Sequence, residues 1–335
     1  MAHKFVLSAI KKKDVKKALQ LVQMPGYDVN IGVENVTPLM LASKLGLITV
    51  AESLVILGAD VNLEDSDGQS ALFYACSHGN SQLVEVLLEA GCDVNKIKVN
   101  GDQPLHEAIA SGDLDTVKCL IAAGASKNRP NSITGYTPLI LAILHANPSI
   151  VDCLLSAGVL PSKSMSGGET PLHFAVQVSP LEIISMLIKA GSDLNILNQI
   201  GESPLVMSIC EGRIDVARLL ILCGSSLYHY NYFSPLSVAC MQNNPQMILY
   251  LLSEGYNVSR DESVKQNIFY RLENEHQAVH DFIYLHRCVQ PLSLKESSRL
   301  IVRQCLGPDM SSHLQKLPIP DVLRTLVGTD VIYNV

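Results

Sequence analysis

The sequence predicts an all-α fold: a solenoid of helix–turn–helix units joined by β-turn fingers, followed by a separate helical tail. Three observations carry this reading. A "TPL"-like triplet begins at Thr37, Ser70, Gln103, Thr137, Thr170, Ser203 and Ser234, in steps of 33, 33, 34, 33, 33 and 31 residues. A glycine recurs in phase with it, at Gly58, Gly91, Gly124, Gly158, Gly191, Gly224 and Gly255. Between the two marks the apolar residues sit three and four apart, the spacing of a helix face. Two marks locked to one period indicate stacked repeats.

The elements follow in order. "FVLSAIKKKDVKKALQLVQMPGYDVN" reads as a degenerate first unit whose basic outer face caps the stack. Where Thr or Ser opens the triplet its hydroxyl can cap free backbone N–H groups, and Pro, where it follows, suits the first helical position. A small residue follows (Ala42, Ala75, Ala108, Ala142, Ala175, Ser208, Ala239), which lets neighbouring helices approach closely. A turn, often with glycine (Gly46, Gly79, Gly112, Gly212), leads to a second helix such as "LVEVLLEAGCD". The in-phase glycine stops that helix, and a polar turn such as "ADVNLEDSDGQS" carries the chain onward. About eight units are expected over residues 1–258, the first and last degenerate. Residues 259–290 are expected to form a helical connector and residues 291–335 a further domain. In that last segment Ser293 and Glu296 make a capping box, so a helix should start at Ser293. Leu294, Ser298, Ile301, Val302 and Cys305 then share one face. Further on, Pro318 and Pro320 stiffen "LPIP", residues 317–320.

Composition narrows the function. Of 335 residues 47% are hydrophobic and 17% charged, enough for an extended core and unlike a disordered chain. The net charge of −7 argues against nucleic acid or an anionic membrane as the main partner. Nine scattered cysteines with no C-x-x-C point to a reducing compartment. With no signal-like run at the start and no apolar span, the expected location is the cytoplasm, with access to the nucleus open. "HQAVH", His276 to His280, puts two imidazoles on one helical face, but Gln277 stands where a zinc protease needs Glu. A packed or solvated helix is the expected reading, and no catalytic residue, metal or cofactor is expected. "KKKDVKK" reads as a solvated cap face, with a basic binding patch as its alternative. The aromatic run "YHYNYF" contains Tyr228, Tyr230, Tyr232 and Phe233. It is either a recognition hot spot for a target protein or packing against the tail.

At this point the repeats resemble the ankyrin repeat, whose pattern is G-x-T-P-L-H-x-A-A and L-L-x-x-G-A-D-V-N; "GDQPLHEAIASGDLDTVKCLIAAGA" is a close match. The family's histidine is present at His106 and His173. Met40, Phe73, Ile140, Val206 and Ser237 replace it elsewhere, so its hydrogen bond is expected to be missing there. The tail resembles the SOCS (suppressor of cytokine signalling) box, which implies a three-helix domain. "SLKESSRLIV" fits its elongin-binding half, with Ser298 where the family usually has Cys. "LPIP" fits its cullin-binding half, with Leu326 where Tyr is common. By this resemblance Leu294, Ser298, Ile301 and Val302 contact elongin C, and Leu317, Pro318, Ile319 and Pro320 contact cullin-5. The whole chain resembles the ankyrin repeat and SOCS box family. That implies a non-catalytic adaptor of an elongin B/C–cullin-5 RING ubiquitin ligase, which holds a target protein on the ankyrin face. The alternative is an ankyrin scaffold without ligase function.

Overall fold

The structure, a computed structural model, describes residues 2–228, 234–242, 244–254 and 256. Helices and turns make up these residues, with one isolated bridge between Val33 and Val36. The chain divides into two compact units, the first ending at Ser192 and the second starting at Asp193.

The first unit holds six helix pairs: α1 (Ala2–Lys11) with α2 (Val15–Val22), α3 (Pro38–Leu45) with α4 (Ile48–Ile56), α5 (Ala71–Ser77) with α6 (Ser81–Glu89), α7 (Pro104–Ser111) with α8 (Leu114–Ala122), α9 (Pro138–Leu144) with α10 (Pro148–Ser156), and α11 (Pro171–Val178) with α12 (Leu181–Lys189). First helices pack on first helices and second on second along the stack. Among its described residues the second unit holds two more pairs, α13 (Pro204–Cys210) with α14 (Ile214–Leu222) and α15 (Pro235–Met241) with α16 (Pro245–Ser253).

The caps follow from the triplet. Thr37 Oγ1 accepts from the Met40 N–H at 3.2 Å, Ser203 Oγ from Val206 at 3.3 Å and Ser234 Oγ from Ser237 at 3.0 Å. In the reverse direction the Gln103 and Thr170 N–H groups donate to Nδ1 of His106 and His173, both at 3.1 Å. An Nδ1 that accepts leaves the ring proton on Nε2. The expected loss of this bond in units without histidine is corrected at two of them. The Thr37 N–H reaches Met40 Sδ at 3.4 Å, and the Ser234 N–H reaches Ser237 Oγ at 3.0 Å. A thioether sulfur or a hydroxyl has the lone pair that the position needs; Phe73, Ile140 and Val206 have none.

The core repeats with the period. Leu39, Leu72, Leu105, Leu139, Leu172, Leu205 and Leu236 of the triplets are at most 1% exposed, and Leu54, Leu87, Leu120, Leu154, Leu187, Leu220 and Leu251 of the second helices are wholly buried. Each such leucine stabilises its unit by about 1.5–3 kcal/mol. Thr116 is the exception on the second helices. It is wholly buried and its hydroxyl has no hydrogen-bond partner, where the neighbouring units place Leu83 and Ile150.

The turn inside most pairs takes a left-handed residue. Gly46 and Gly112 supply it at φ 69° and 78°. Ala146 occupies the same place at φ 48°, which its Cβ makes unfavourable. In the next unit Ser179 abandons the conformation, at φ −98°, and its buried hydroxyl donates to the Ile143 carbonyl at 3.1 Å. Ala146→Gly should therefore stabilise the protein by about 0.5–1 kcal/mol, the relieved strain less the added entropy of the unfolded chain. Denaturant unfolding checks this, and a lower midpoint would contradict it.

Candidate functional site

The surface that can meet a partner is built from the fingers between units and the adjoining first helices. Fingers that begin with aspartate start with an Asx turn, whereas Ser126 and Leu160 hold that place in two others. Asp28, Asp60 and Asp93 accept, through Oδ1, the N–H of Asn30, Asn62 and Asn95 two residues on, each at 2.9 Å. The asparagine so placed reaches the next unit. Asn30, Asn62 and Asn95 accept through Oδ1 from the N–H of Asp60, Asp93 and Ser126, each at 2.8 Å. In the second unit Asn195 accepts from Ser226 at 2.7 Å. These amides fix the spacing of the fingers that carry them; between Asn128 and Asn195, Ser162 stands in the asparagine's place.

The finger tips close on glycine. Asp65 Oδ1 accepts from the N–H groups of Asp67 and Gln69, both at 2.9 Å, and its other oxygen accepts from the Tyr74 hydroxyl at 2.6 Å. Burial, with this carboxylate beside it, holds the Tyr74 phenol well above its ordinary pKa. In the following finger Lys98 pairs with Glu107 and lies 3.5 Å from Asp102, with its ammonium 6.0 Å from the centre of the Phe73 ring. Burial alone would lower the Lys98 pKa, but the bond to Glu107 and the charges of Glu107 and Asp102 raise it. Asn131 then donates to Asp102 Oδ1 at 3.0 Å, and Tyr136 packs edge-on against Phe174 of α11 with ring centres 5.7 Å apart. These contacts fix the fingers before any partner arrives.

Three of the finger tips present an exposed apolar residue. Val99 is 81% exposed and Ile133 73%, both two residues before the tip glycine, and Ile200 of the second unit is 66% exposed. The sequence reading passed over these three. The signal was present: "KVNGD", "SITGY" and "NQIGE" each put a large aliphatic residue where "EDSDGQ" is polar.

Of the residues proposed from sequence, only Tyr228 is among those described. It is half-buried, its ring centre 5.0 Å from that of Tyr256, and Ser226 Oγ donates to its carbonyl at 2.8 Å. Tyr230, Tyr232 and Phe233 lie outside the described residues. So do Leu294, Ser298, Ile301, Val302, Leu317, Pro318, Ile319, Pro320 and the "HQAVH" pair.

Among the described residues no group of three His, Cys, Asp or Glu side chains is placed to hold a metal ion. Nor is any helix among them long and apolar enough to cross a membrane. Burial pushes the Cys76 thiol well up and Cys92 to about 12. These thiols stay protonated at neutral pH and are poor nucleophiles.

The chain matches the family model of ankyrin repeats at residues 39–131, 105–198 and 179–262, and that of the SOCS box at residues 290–325. It is similar to the crystal structure of the human ASB11 ankyrin repeat domain, with 28% identity and a TM-score of 0.58, over 66% of this chain and 98% of that one. It is also similar to the ankyrin repeat domain of Bcl-3, a member of the IkappaB family, with 27% identity and a TM-score of 0.57, over 64% of this chain and 97% of that one.

Proposed function

The chain belongs to the ankyrin repeat and SOCS box family, substrate adaptors of cullin–RING ligases, and from that premise we propose that it recruits elongin B, elongin C and cullin-5 with its RING protein. The observation that carries the proposal is the SOCS box at residues 290–325 behind an ankyrin array. The proposed division is an array over 1–258, a connector over 259–290 and the box over 291–335. Leu294, Ser298, Ile301 and Val302 face elongin C, and Leu317, Pro318, Ile319 and Pro320 face cullin-5. The working place is the cytoplasm, with access to the nucleus open.

The target is held by the array. Val99 and Ile133 give the first unit exposed aliphatic anchors on fingers already locked by hydrogen bonds, so little order is lost on binding. Tyr230, Tyr232 and Phe233 are proposed as a second set of contacts. Tyr228 takes part through the aromatic pair that it forms with Tyr256. No residue of the chain performs covalent chemistry. Tethering the target beside a charged ubiquitin carrier raises the effective concentration of its lysines, and that is the whole of the adaptor's contribution. The rival reading, a scaffold without ligase function, draws on Ser298 and Leu326, which depart from the box's usual residues.

The test separates the two halves of the box. Replacing Leu317, Pro318, Ile319 and Pro320 together by Ala should leave elongin B/C co-purification intact and reduce cullin-5 recruitment by about tenfold, the loss of one buried anchor or more. Joint loss of all partners would show that the segment is structural. Absence of elongins from the unaltered protein would favour the scaffold.

A further inference from the structure

We infer that the outer face of α1 and α2 is a docking site for a short, carboxylate-rich segment of a partner protein. This stands apart from the fingers and holds whether or not the tail docks a ligase. Residues 1–20 contain six lysines and one carboxylate, a net +5, in a chain whose net charge is −7, so the remaining residues carry −12. That net positive charge sits on a single helix pair. Lys4, Lys11 and Lys12 of α1 and its end, and Lys13, Lys16 and Lys17 of the turn and α2, are all exposed. None is in an ion pair among the described residues. The one carboxylate, Asp14, is occupied as the cap of α2, where Oδ1 accepts the Lys17 N–H at 3.1 Å. Six like charges within a few Debye lengths repel one another, and folding leaves that repulsion unrelieved.

The same helix says which polyanion fits. Phe5 is 59% exposed among these lysines. The other apolar residues of α1 face the stack, with Val6 and Ile10 wholly buried and Ala9 4% exposed. A membrane surface needs an apolar helix face to insert, and here that face is spent on packing. An extended polyanion, whether bilayer or nucleic acid, would also meet the rest of the same unit, where residues 21–192 contain 17 carboxylates and 8 Lys or Arg, a net −9. A short acidic segment meets only the charges within about 8 Å at physiological salt, which are the lysines. One apolar residue in that segment would cover Phe5.

The experiment uses the full chain and a fluorescein-labelled peptide of Asp and Glu around a single Leu. Its Asn/Gln counterpart, phosphatidylserine vesicles and a DNA duplex serve as competitors. The acidic peptide should bind, more weakly as salt is added, and the amide peptide should not. Lys12→Glu combined with Lys16→Glu should weaken binding about tenfold or more, and Phe5→Ser a few-fold. The melting temperature should hold or rise, since the lysines have no partners to lose. Three results would overturn the inference: no binding of the acidic peptide, binding indifferent to the charge reversals, or preference for vesicles or duplex. Self-association that the charge reversals abolish would assign the face to a second copy and overturn it equally.

Discussion

Gly101→Ala is expected to be among the most damaging single substitutions in the array. Gly101 sits at φ +85°, and an added Cβ would lie 2.2 Å from Ser132 Oγ and 2.4 Å from the Ser132 backbone nitrogen. The left-handed backbone costs a non-glycine residue roughly 1–2 kcal/mol. The clash adds an overpacking penalty of about 1–3 kcal/mol, because the obstacle includes backbone and cannot rotate away. A loss of about 2–5 kcal/mol should follow. Gly58→Ala is the control. Its φ is +83° and a Cβ there meets nothing within 4 Å, so only the backbone term applies. The difference between the two variants in denaturant unfolding isolates the close approach of neighbouring fingers. Equal losses would show that the fingers separate to admit the methyl group.

The spacing of fingers shows what the sequence disclosed and what it withheld. The repeat, the triplet caps and the stop glycines were legible because each is a local demand: a donor without a partner, a left-handed turn, a leucine every period. The asparagine ladder was not. "DVN" reads as a polar turn, and nothing local reveals that Asn62 Oδ1 holds the N–H of Asp93 in the next unit. Met40 and Ser237 misled for a related reason. Sequence comparison scores them as lost histidines, whereas the position asks only for an acceptor within reach of the cap N–H, and sulfur or hydroxyl meets that demand. Lys98 was equally hidden, since its carboxylate partners stand four and nine residues away and converge only when the finger folds onto α7. At the candidate site, the aromatic run drew attention by composition alone. Tyr228 turns out to be half-buried against Tyr256, while the exposed apolar tips are single aliphatic residues that composition does not flag.

As the proposed target contacts, those tips also bear on how an adaptor can change targets without losing its fold. The ladder, the caps and the buried leucines use residues at fixed places in the period. Val99 and Ile133 occupy finger positions that the ladder, the caps and the buried core do not use. A residue there can vary in size and polarity while the amide that sets the finger's place is kept.

Leu294→Ala should reduce elongin C binding by about tenfold or more and leave the melting temperature of the array unchanged. The capping box at Ser293 and Glu296 places Leu294 at the start of the helix that the sequence predicts, on the face shared with Ser298, Ile301 and Val302. A helix laid in a groove depends on such an anchor, and burying one leucine side chain contributes about 1.5–3 kcal/mol, roughly ten- to a hundredfold in affinity. Ser298→Cys is the companion change, and its sign is opposite. A hydroxyl is harder to desolvate than a thiol even when it can turn back to the carbonyl four residues earlier, so the Cys variant should bind elongin C more tightly. Titration of both variants against purified elongin B/C separates two outcomes. A weaker Leu294→Ala and a tighter Ser298→Cys place the groove where the family pattern puts it. A Leu294→Ala protein that still captures elongins at full strength would remove the basis for the adaptor and leave the array as an interaction scaffold.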